Sequence, residues 1–254
     1  FSPLEIDHGR KTLNISAKEY LEELKNAGLN SLPGTAAEIL HDDIRSKICP
    51  DKLTTSQWIE IIKTAHYVGL PTTSTMMFGH VENMSHVAHH LLKLNNLQLE
   101  TNGITEFVPL PFVADEAPIY RKGFARPGPT FKESILIHSV ARILFNGKIN
   151  NIQGSWVKMG LPGLKFLLSA GINDIGGVLM NESITRSAGA AFGQELFLED
   201  VLKITDELDL NLVQRNTLYH SLPNRIKDLV EFQSIPLLPI NNDYHQPKKI
   251  NNSL

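Results

Sequence analysis

The sequence is nearly devoid of cysteine, because only one of its 254 residues, Cys49, carries a thiol. A single cysteine excludes an internal disulfide and any metal site that takes several thiolates from this chain. Cys49 stands before Pro50 in a predicted loop, where no neighbouring His–Asp arrangement would activate it. We therefore interpret Cys49 as a partly buried structural thiol rather than as a nucleophile.

The chain also has no large excess of charge of either sign. Its 24 Lys and Arg residues nearly balance its 27 Asp and Glu residues, for a formal net charge of −3. That balance argues against nucleic acid or an anionic membrane as a partner. No apolar run approaches the length of a membrane span, and the chain does not open on a charged and then apolar secretory leader. These absences predict a cytoplasmic protein that binds neither nucleic acid nor a membrane.

What the sequence does contain is a series of clear helix starts. Ser16–Glu19, Thr54–Gln57 and Thr130–Glu133 each fit the capping box, in which a hydroxyl and an acid or amide bond to the first free N–H groups of a helix. Apolar residues recur at helical spacing behind the last two boxes. The predicted buried faces are Trp58, Ile61, Ile62 and Ala65 in one helix, and Ile135, Leu136, Ser139, Val140, Ile143 and Leu144 in the other.

Short apolar runs alternate with these helices, and five have strand length: LNSLPG, PTTSTMMFG, GITEFVPLPF, NIQGSWVKMG and NDIGGVLM. Continuous apolarity indicates burial on both faces, which is typical of parallel strands. The period of roughly 30 to 45 residues fits βα units, so we predict an α/β fold, a (β/α) barrel of the TIM type. An open doubly wound sheet is less favoured, because no glycine-rich phosphate loop opens a βα unit.

The number of βα units is too small for a closed barrel. Eight units take about 250 residues, whereas the pattern here has five strands and ends near Asp209. We therefore expect residues 1–219 to form the C-terminal part of a barrel whose N-terminal strands are missing from this sequence. Residues 220–254, which are rich in Pro and Asn, are expected to form a disordered tail.

Polar residues follow the predicted strands, and in a barrel the carboxyl ends of the strands share one mouth. The residues that we expect there are Glu38, His80, Glu82, Glu106, Gln153, Trp156, Lys158, Asn181 and Glu182. Converging acids and amides above an apolar floor suit a polar small molecule. For any one of these residues a purely structural role is the commoner outcome. Glu182, for example, is also placed to favour the start of a short helix.

Three histidines, His86, His89 and His90, recur at helical spacing and are candidate zinc ligands. Their helix is expected to pack outside the barrel, and no acidic partner is evident. We therefore favour a solvated or partly buried helix face and predict no metal site. The glycine pair Gly176 and Gly177 is a further, weak candidate for a phosphate-binding turn.

Several segments together resemble a known family. SLPGTAAEIL, TTSTMMFGHVE, TEFVPLPF, NIQGSWVK and LMNESITRSAGAAFGQ are similar to the deazaflavin-chromophore (FO) synthase family of radical S-adenosylmethionine enzymes. The resemblance is to the tyrosine-using subunit, CofH, or to the C-terminal half of the fused form, FbiC, and it runs from Phe1 to Tyr219. Radical S-adenosylmethionine relatives of the menaquinone pathway resemble the chain less closely.

The resemblance implies a reaction and its cofactors. The family uses a [4Fe-4S] cluster to cleave S-adenosylmethionine to a 5′-deoxyadenosyl radical, which takes a hydrogen atom from L-tyrosine. The 4-hydroxybenzyl group is then joined to 5-amino-6-(D-ribitylamino)uracil, and a separate or fused partner half closes the deazaflavin ring. Because such a radical attacks almost any C–H bond, the barrel must hold the substrates close and exclude water.

The resemblance also implies roles for particular residues. Those that would border the adenine of S-adenosylmethionine, on two successive strands, are Met76, Met77, Gly79, Glu82 and Val108. Glu38 would lie near the ribose or the methionyl part of the same cofactor. The residues that would contact the uracil and tyrosine substrates are Gln153, Lys158, Asn181 and Glu182.

The sequence departs from the family at one point, because the cluster-binding motif C-x-x-x-C-x-x-C is absent. Cysteine thiolates hold the irons of such clusters. We therefore interpret the sequence as truncated rather than degenerate, and expect it to be inactive by itself. Two alternatives stay open, namely a cluster-free barrel enzyme for a phosphorylated or sugar-like substrate, and a non-catalytic docking subunit.

Overall fold

The computed structural model describes residues 1–179, 181–193 and 195–223, together with residues 226 and 230. Its helices are α1 (Pro3–Leu13), α2 (Ala17–Asn26), α3 (Asp42–Ile48), α4 (Thr55–Tyr67), α5 (Met84–Thr101), α6 (Pro118–Arg121), α7 (Phe131–Phe145), α8 (Trp156–Ser169), α9 (Ile184–Ser187) and α10 (Leu198–Glu207). Its strands are β1 (Thr72–Phe78), β2 (Ile104–Pro111) and β3 (Asn151–Ile152). No helix in this part of the chain combines the length and the apolarity that crossing a membrane requires. The tail predicted for residues 220–254 lies outside the described residues, apart from 220–223, 226 and 230.

The three strands form one parallel sheet in the order β1–β2–β3. Single parallel bridges extend the sheet at both edges, because Leu32 pairs with Thr72 and Gln153 pairs with Asp174. The resulting five strand positions follow one another in the order of the sequence, and at least one helix separates each from the next. Successive βα units of a barrel have this arrangement, so the predicted α/β barrel fold is confirmed as an arc of parallel strand positions.

Three of the five predicted strands are shorter than the sequence indicates. The segment 151–160 is a strand only at Asn151–Ile152 and is part of α8 from Trp156 onward. At the first position only Leu32 pairs with the sheet, and at the last only Asp174 does so. Pro33 follows Leu32 directly, and proline lacks the N–H group that would continue the ladder. After Asp174 the chain turns at Gly176 with a φ of 70°, a left-handed conformation that ends an extended segment.

The two faces of the sheet carry different residues. The ring of Phe107 in β2 packs against Phe145 of α7 and His90 of α5, with centroid distances of 5.2 and 6.3 Å, so this face meets the helices. Successive side chains of a strand point to opposite faces. Glu106 and Val108 therefore point away from the helix layer, toward the concave side of the arc.

All three predicted capping boxes are present. Each of Ser16, Thr54 and Thr130 accepts a hydrogen bond from the third residue of its helix, and the Glu or Gln side chain there accepts one from the backbone of the cap. Each box thus satisfies two N–H groups that the helix itself leaves free. These short polar motifs therefore determine where α2, α4 and α7 begin.

The predicted buried face of α4 is confirmed, whereas that of α7 is wrong. Leu136, Val140 and Ile143 are 52%, 41% and 77% exposed. The buried residues of α7 are instead Ser134, Ile137, His138, Ala141 and Phe145. Apolar residues occur on most of the circumference of α7, so their spacing does not select one face. Part of the polar side is satisfied within the helix, since His138 Nδ1 lies 2.7 Å from the Ser134 carbonyl oxygen, whereas His138 Nε2 is buried without a partner among the described residues.

The three histidines of α5 have different surroundings. His90 is fully buried, and its Nδ1 accepts a hydrogen bond from the Leu40 N–H at 3.0 Å. His86 lies partly exposed against the ring of His41, at 4.6 Å between centroids, and His89 is exposed. The predicted solvated or partly buried face is therefore correct for His86 and His89 and wrong for His90. Among the described residues, no group of three or more His, Cys, Asp and Glu side chains is placed to hold a metal ion.

Candidate functional site

The loop after the first strand position lies directly on β1 and carries Glu38. The Gly34 N–H donates to Thr73 Oγ1 at 3.0 Å, and the Thr75 hydroxyl donates to the Gly34 carbonyl oxygen at 3.1 Å. A side chain at position 34 would overlap the Thr73 carbonyl oxygen and lie 2.6 Å from the Ser74 Cα, so the close approach requires glycine. The Met77 N–H donates to the Glu38 carbonyl oxygen at 2.9 Å. Glu38 is thereby fixed at the carboxyl end of β1.

The Glu38 side chain has a cationic partner that the sequence reasoning missed. Lys52, in the loop between α3 and α4, places its Nζ 2.9 Å from Glu38 Oε1. The two side chains are 17% and 32% exposed, for glutamate and lysine respectively. Partly exposed pairs of this kind contribute at most about 1 kcal/mol to stability. The pair therefore orients Glu38 more than it stabilises the fold.

Lys158, in the first turn of α8, lies close to two acids without contacting either. Burial lowers the pKa of its ammonium group, and the negative charges of Glu182 and Glu38 oppose that change. In the described part of the chain, Lys158 forms no ion pair within 4.0 Å. One cation and two carboxylates from three separate segments of the chain are therefore near enough for their charges to act on one another.

Glu182 has the structural role that the sequence allowed, together with one free oxygen. Its Oε1 accepts a hydrogen bond from the Thr185 N–H at 2.8 Å, at the start of α9. Its Oε2 is buried and has no hydrogen-bond partner among the described residues. An unpaired buried carboxylate oxygen is costly, so this atom keeps an unused capacity to accept a hydrogen bond.

Asn181 and Gln153, the other two residues predicted to bind substrate, each contact other parts of the protein. Asn181 is exposed, and its Oδ1 accepts a hydrogen bond from Arg186 at 3.0 Å. Gln153 is half-buried and directly follows β3. Its Nε2 would lie 2.6 Å from a Cβ atom at position 176, so the amide packs against the backbone of Gly176.

The turn after β1 uses Glu82 within the protein. Glu82 Oε1 accepts hydrogen bonds from the Gly79 N–H at 2.6 Å and from Arg126 at 3.1 Å, and Oε2 accepts one from the His80 N–H at 2.9 Å. Both oxygens are thus occupied, and the side chain is 1% exposed. Glu82 shapes the turn, and we do not include it among the residues that face a ligand.

The remaining residues predicted to border the cofactor fall on both sides of the sheet. Met76 is fully buried in the hydrophobic core, so its side chain is not available to a ligand. Met77 alternates with it and is half-buried on the opposite face, which in β2 carries the buried Val108. Gly79 has a φ of 98°, and a side chain there would overlap the Pro129 ring. Packing of Pro129 is therefore a sufficient reason for this glycine.

A second polar cluster surrounds Glu106, which the sequence places at the end of a strand but which lies near the start of β2, among partners that sequence reasoning missed. Glu106 is 3% exposed, and the Tyr219 hydroxyl donates to its Oε2 at 2.7 Å. Burial and the nearby Asp174 carboxylate raise the pKa of Glu106 to about 7. Arg215 pairs with Asp174 and lies 4.1 Å from the centre of the Tyr219 ring. The segment after α10 therefore packs against the start of β2. Arg215 and Tyr219 contact Glu106, which is more than 100 residues away in the sequence.

Comparison with protein families covers nearly all of the described chain. Residues 4–94 match the model of the radical SAM superfamily, and residues 101–222 match the model described as the CofH/MqnC C-terminal region. The chain belongs to the CofH family of radical SAM proteins. The site built from Glu38, Lys158 and Glu182 thus spans the two matched regions of a CofH-family protein.

Individual CofH-family relatives are similar over most of this chain. A 5-amino-6-(D-ribitylamino)uracil--L-tyrosine 4-hydroxyphenyl transferase of Methanocaldococcus jannaschii is 49% identical over 222 residues, which are 87% of this chain and 62% of that protein. An FO synthase of Nocardia farcinica is 46% identical over 230 residues, 91% of this chain and 27% of that protein. The chain therefore spans about 60% of the length of such separate transferases.

A solved structure supports the fold. The crystal structure of methylornithine synthase (PylB) matches with a TM-score of 0.60 at 15% sequence identity, over 85% of this chain and 58% of that one. At this level of identity the likeness shows the fold alone. It confirms the barrel architecture that the parallel strand positions indicate.

Radical SAM proteins use an iron–sulfur cluster and S-adenosylmethionine. The residues of this chain suit S-adenosylmethionine but not the cluster. The only cysteine in the sequence, Cys49, is 4% exposed, and burial raises the pKa of its thiol, so this chain does not supply the thiolates of an iron–sulfur cluster. S-Adenosylmethionine carries an ammonium group, a sulfonium and ribose hydroxyls. The Glu38 carboxylate suits those groups, and Val108 adds apolar surface.

Proposed function

We propose that this chain forms the part of a radical SAM transferase that binds S-adenosylmethionine and the substrates. The enzyme would join the 4-hydroxybenzyl group of L-tyrosine to 5-amino-6-(D-ribitylamino)uracil in FO biosynthesis. Relatives at 46% to 49% identity are named for this transfer. The structural observation that supports the proposal is that the charges of Glu38 and Glu182 act on Lys158.

The cofactor would lie against the ends of the first two strand positions. Glu38 would accept hydrogen bonds from ribose hydroxyls or from the methionyl ammonium group, with Lys52 holding the carboxylate in place. Met77, Val108 and the Gly79 backbone would border the adenine. Abstraction of a hydrogen atom is the chemistry that the bound cofactor supplies in this superfamily.

The substrates would occupy the other half of the mouth. Lys158 is a donor for a carboxylate or a uracil carbonyl oxygen, and Glu182 Oε2 accepts from an ammonium or a ring N–H group. Gln153 adds an amide that both donates and accepts. A desolvated ammonium between two acids binds a polar ligand more strongly than it would in water, and it also orients that ligand.

The activity is tested with a protein that joins this chain to an upstream segment containing the C-x-x-x-C-x-x-C motif of a transferase relative. After anaerobic reconstitution with iron and sulfide, this protein should form 5′-deoxyadenosine from S-adenosylmethionine in the presence of reductant and L-tyrosine. It should also form a tyrosine-derived adduct of the ribitylaminouracil. A reconstituted protein that cleaves the cofactor but leaves tyrosine unchanged would contradict the proposed substrates.

Charge at position 38 is predicted to matter for cofactor binding. Glu38→Gln keeps the side-chain size but removes the carboxylate, and we expect S-adenosylmethionine affinity to fall by about tenfold, as for loss of one hydrogen bond to a charged group. Isothermal titration calorimetry measures this. Glu116→Gln, at an exposed glutamate paired with Arg121, is the matched control and should bind normally. Equal affinity of the Glu38→Gln variant and the control would remove Glu38 from the site.

A second candidate function is that of a menaquinone-pathway radical SAM enzyme, because the matched C-terminal model is named for MqnC as well as CofH. The same reconstituted protein separates the two, since only the proposed transferase consumes L-tyrosine. Our proposal includes the ring-closing half of FO synthase as a protein partner and a cytoplasmic location. Co-purification with that half and cell fractionation would test these two points.

A further inference from the structure

Helix α8 is broken after its first turn, which carries Lys158. At Gly160 the backbone has a φ of 66° and a ψ of 176°, a conformation essentially restricted to glycine, so α8 does not continue as one regular helix through this residue. Pro162 stands in the first turn of the part that follows, where a missing N–H group is tolerated. The N–H groups of Lys158 and Met159 donate to the Ser155 carbonyl oxygen, at 3.1 and 3.0 Å, and close the turn before the break. The rest of the helix therefore does not by itself fix the direction of this turn.

Trp156, at the start of that turn, contacts another part of the chain. It is 6% exposed, and its indole N–H donates to the Gly177 carbonyl oxygen at 3.0 Å. A Cβ atom at Gly193 would overlap the six-membered ring of Trp156, so the ring packs directly on that backbone. Gly177 and Gly193 stand on either side of Glu182 in the sequence. One buried indole thus joins the turn that carries Lys158 to the segment that carries Glu182.

A second aromatic contact joins the same two parts of the chain. The ring of Phe192 lies against Gly160, since a Cβ atom at position 160 would be 2.7 Å from it. The residue next to Gly193 therefore fills the space beside the break in α8. Alanine at position 160 would meet this ring and would also strain the backbone, so the break and the packing both require glycine there.

The charges near this junction depend on how the turn is held. Burial lowers the pKa of the Lys158 ammonium group, and the carboxylates of Glu182 and Glu38 are near enough to raise it. Glu182 is fixed in its own segment, because its Oε1 accepts a hydrogen bond from the Thr185 N–H at 2.8 Å. The separation of the Lys158 and Glu182 charges is therefore set by the contacts between the turn and that segment.

We infer that Trp156 is a positioning residue, which holds Lys158 near Glu182 by joining the first turn of α8 to the segment that contains this acid. The inference rests on the proposed function, in which Lys158 donates to an oxygen atom of a substrate. Trp156 acts without touching the substrate, because its N–H group is already bound to the Gly177 carbonyl. Loss of the indole contact would let the turn move and would expose the Lys158 ammonium group to water.

The titration of Lys158 reports on its position without any catalytic step. In carbon-13 nuclear magnetic resonance spectra of the chain labelled at the lysine Cε atoms, Lys158 should titrate below the ordinary lysine pKa of 10.5. The Lys158→Met variant assigns the signal. Trp156→Phe keeps an aromatic ring but removes the indole N–H. We expect it to raise the Lys158 pKa toward 10.5, because the ammonium group gains contact with water.

Ser139→Ala is the matched control, because it removes a hydrogen bond of the same kind at the opposite end of α8. There the Ser139 hydroxyl donates to the Ala170 carbonyl oxygen at 3.0 Å. This variant should leave the Lys158 pKa unchanged, and the backbone amide spectrum verifies that each variant is folded. If Trp156→Phe does not fold, Phe192→Leu takes its place, at a position that is 44% exposed, and should shift the Lys158 pKa in the same direction.

A second readout uses the reconstituted protein that contains the upstream cluster motif. Trp156→Phe should raise the KM of L-tyrosine or of the ribitylaminouracil by about tenfold, as for loss of one hydrogen bond to a charged group, with a smaller change in kcat. A parent protein that consumes no tyrosine would count against the proposed function. The Lys158 titration would still decide whether Trp156 positions Lys158, so the two failures are distinguishable.

Two outcomes would overturn the inference. The first is a folded Trp156→Phe variant in which Lys158 titrates as it does in the wild-type chain. The second is an equal rise of the Lys158 pKa in Ser139→Ala, which would show that any loosening of α8 moves Lys158 and that Trp156 has no particular role.

Discussion

At the scale of single residues, Glu38 and Glu82 show that two identical side chains can have different roles because their surroundings differ. Both follow strand positions at the carboxyl edge of the sheet. Glu82 is 1% exposed and accepts hydrogen bonds from two backbone N–H groups and Arg126, whereas Glu38 is 17% exposed with one lysine partner. The Glu82 carboxylate therefore stabilises the turn, whereas the Glu38 carboxylate retains acceptor capacity for a ligand.

This difference predicts the effect of Glu82→Gln. The amide has one accepting oxygen, so at least one of the Gly79 and His80 N–H groups would lose its partner in a buried turn. We expect the free energy of unfolding to fall by about 1–3 kcal/mol, as measured by urea denaturation, with S-adenosylmethionine affinity unchanged in the folded variant. Glu116→Gln should change stability by less than about 0.5 kcal/mol. A stable Glu82→Gln variant with weakened cofactor binding would instead place Glu82 in the site.

At the scale of elements, the loop of residues 33–40 positions the site because it lies against β1. Its contacts are a hydrogen bond from the Gly34 N–H to Thr73 and one from the Thr75 hydroxyl to the Gly34 carbonyl. No regular ladder continues there, since Leu32 makes a single bridge. The position of Glu38 therefore depends on one close backbone approach.

Gly34→Ala is predicted to disrupt that approach. The added Cβ would meet backbone atoms of Thr73 and Ser74, which have no rotamer to change. We expect a loss of at least about 1–3 kcal/mol in the free energy of unfolding, typical of overpacking, together with weaker S-adenosylmethionine binding. Gly177→Ala is the control, because the nearest atom to its added Cβ lies 3.9 Å away. Wild-type stability of the Gly34→Ala variant in urea denaturation would refute the tight contact.

At the scale of the whole molecule, buried histidines connect stability to pH. Burial lowers the pKa of His66 and of His138 to about 4, and that of His90 to about 3. In the unfolded chain each would take up a proton near its ordinary value of 6.5. Below that pH the unfolded state binds more protons than the folded state, so stability falls as the pH falls.

We therefore predict a loss of stability between about pH 6.5 and pH 4, at up to roughly 1.4 kcal/mol per pH unit for each histidine. Glu106 acts in the opposite direction, because its pKa of about 7 lets the folded state hold a proton that the unfolded state releases. Urea denaturation at several pH values measures the slope. His66→Gln should reduce the slope, whereas His8→Gln, at an exposed histidine, should leave it unchanged. A flat profile would contradict buried neutral histidines.

The sequence predicted most of the fold because the relevant interactions are local. Capping boxes at Ser16, Thr54 and Thr130 involve residues three positions apart, so their presence and their effect are both visible in the sequence. The order of the parallel strand positions follows from alternation with helices. The buried face of α7 could not be predicted in this way, because Leu136 and Ile143 are as apolar as the residues that contact the sheet.

By itself, the sequence determined the barrel architecture, the helix starts and the family, since each depends on short motifs and their spacing. The tertiary structure alone decided which carboxylates keep an oxygen that could bind a ligand. Both oxygens of Glu82 accept hydrogen bonds in a turn, whereas Glu182 has one oxygen without a partner among the described residues. Lys158 has two acidic neighbours, Glu38 and Glu182, which lie 120 and 24 residues away in the chain. The physical reason is that burial and charge pairing are set by atoms brought together in folding, and these determine whether a polar side chain still has a group to offer a ligand.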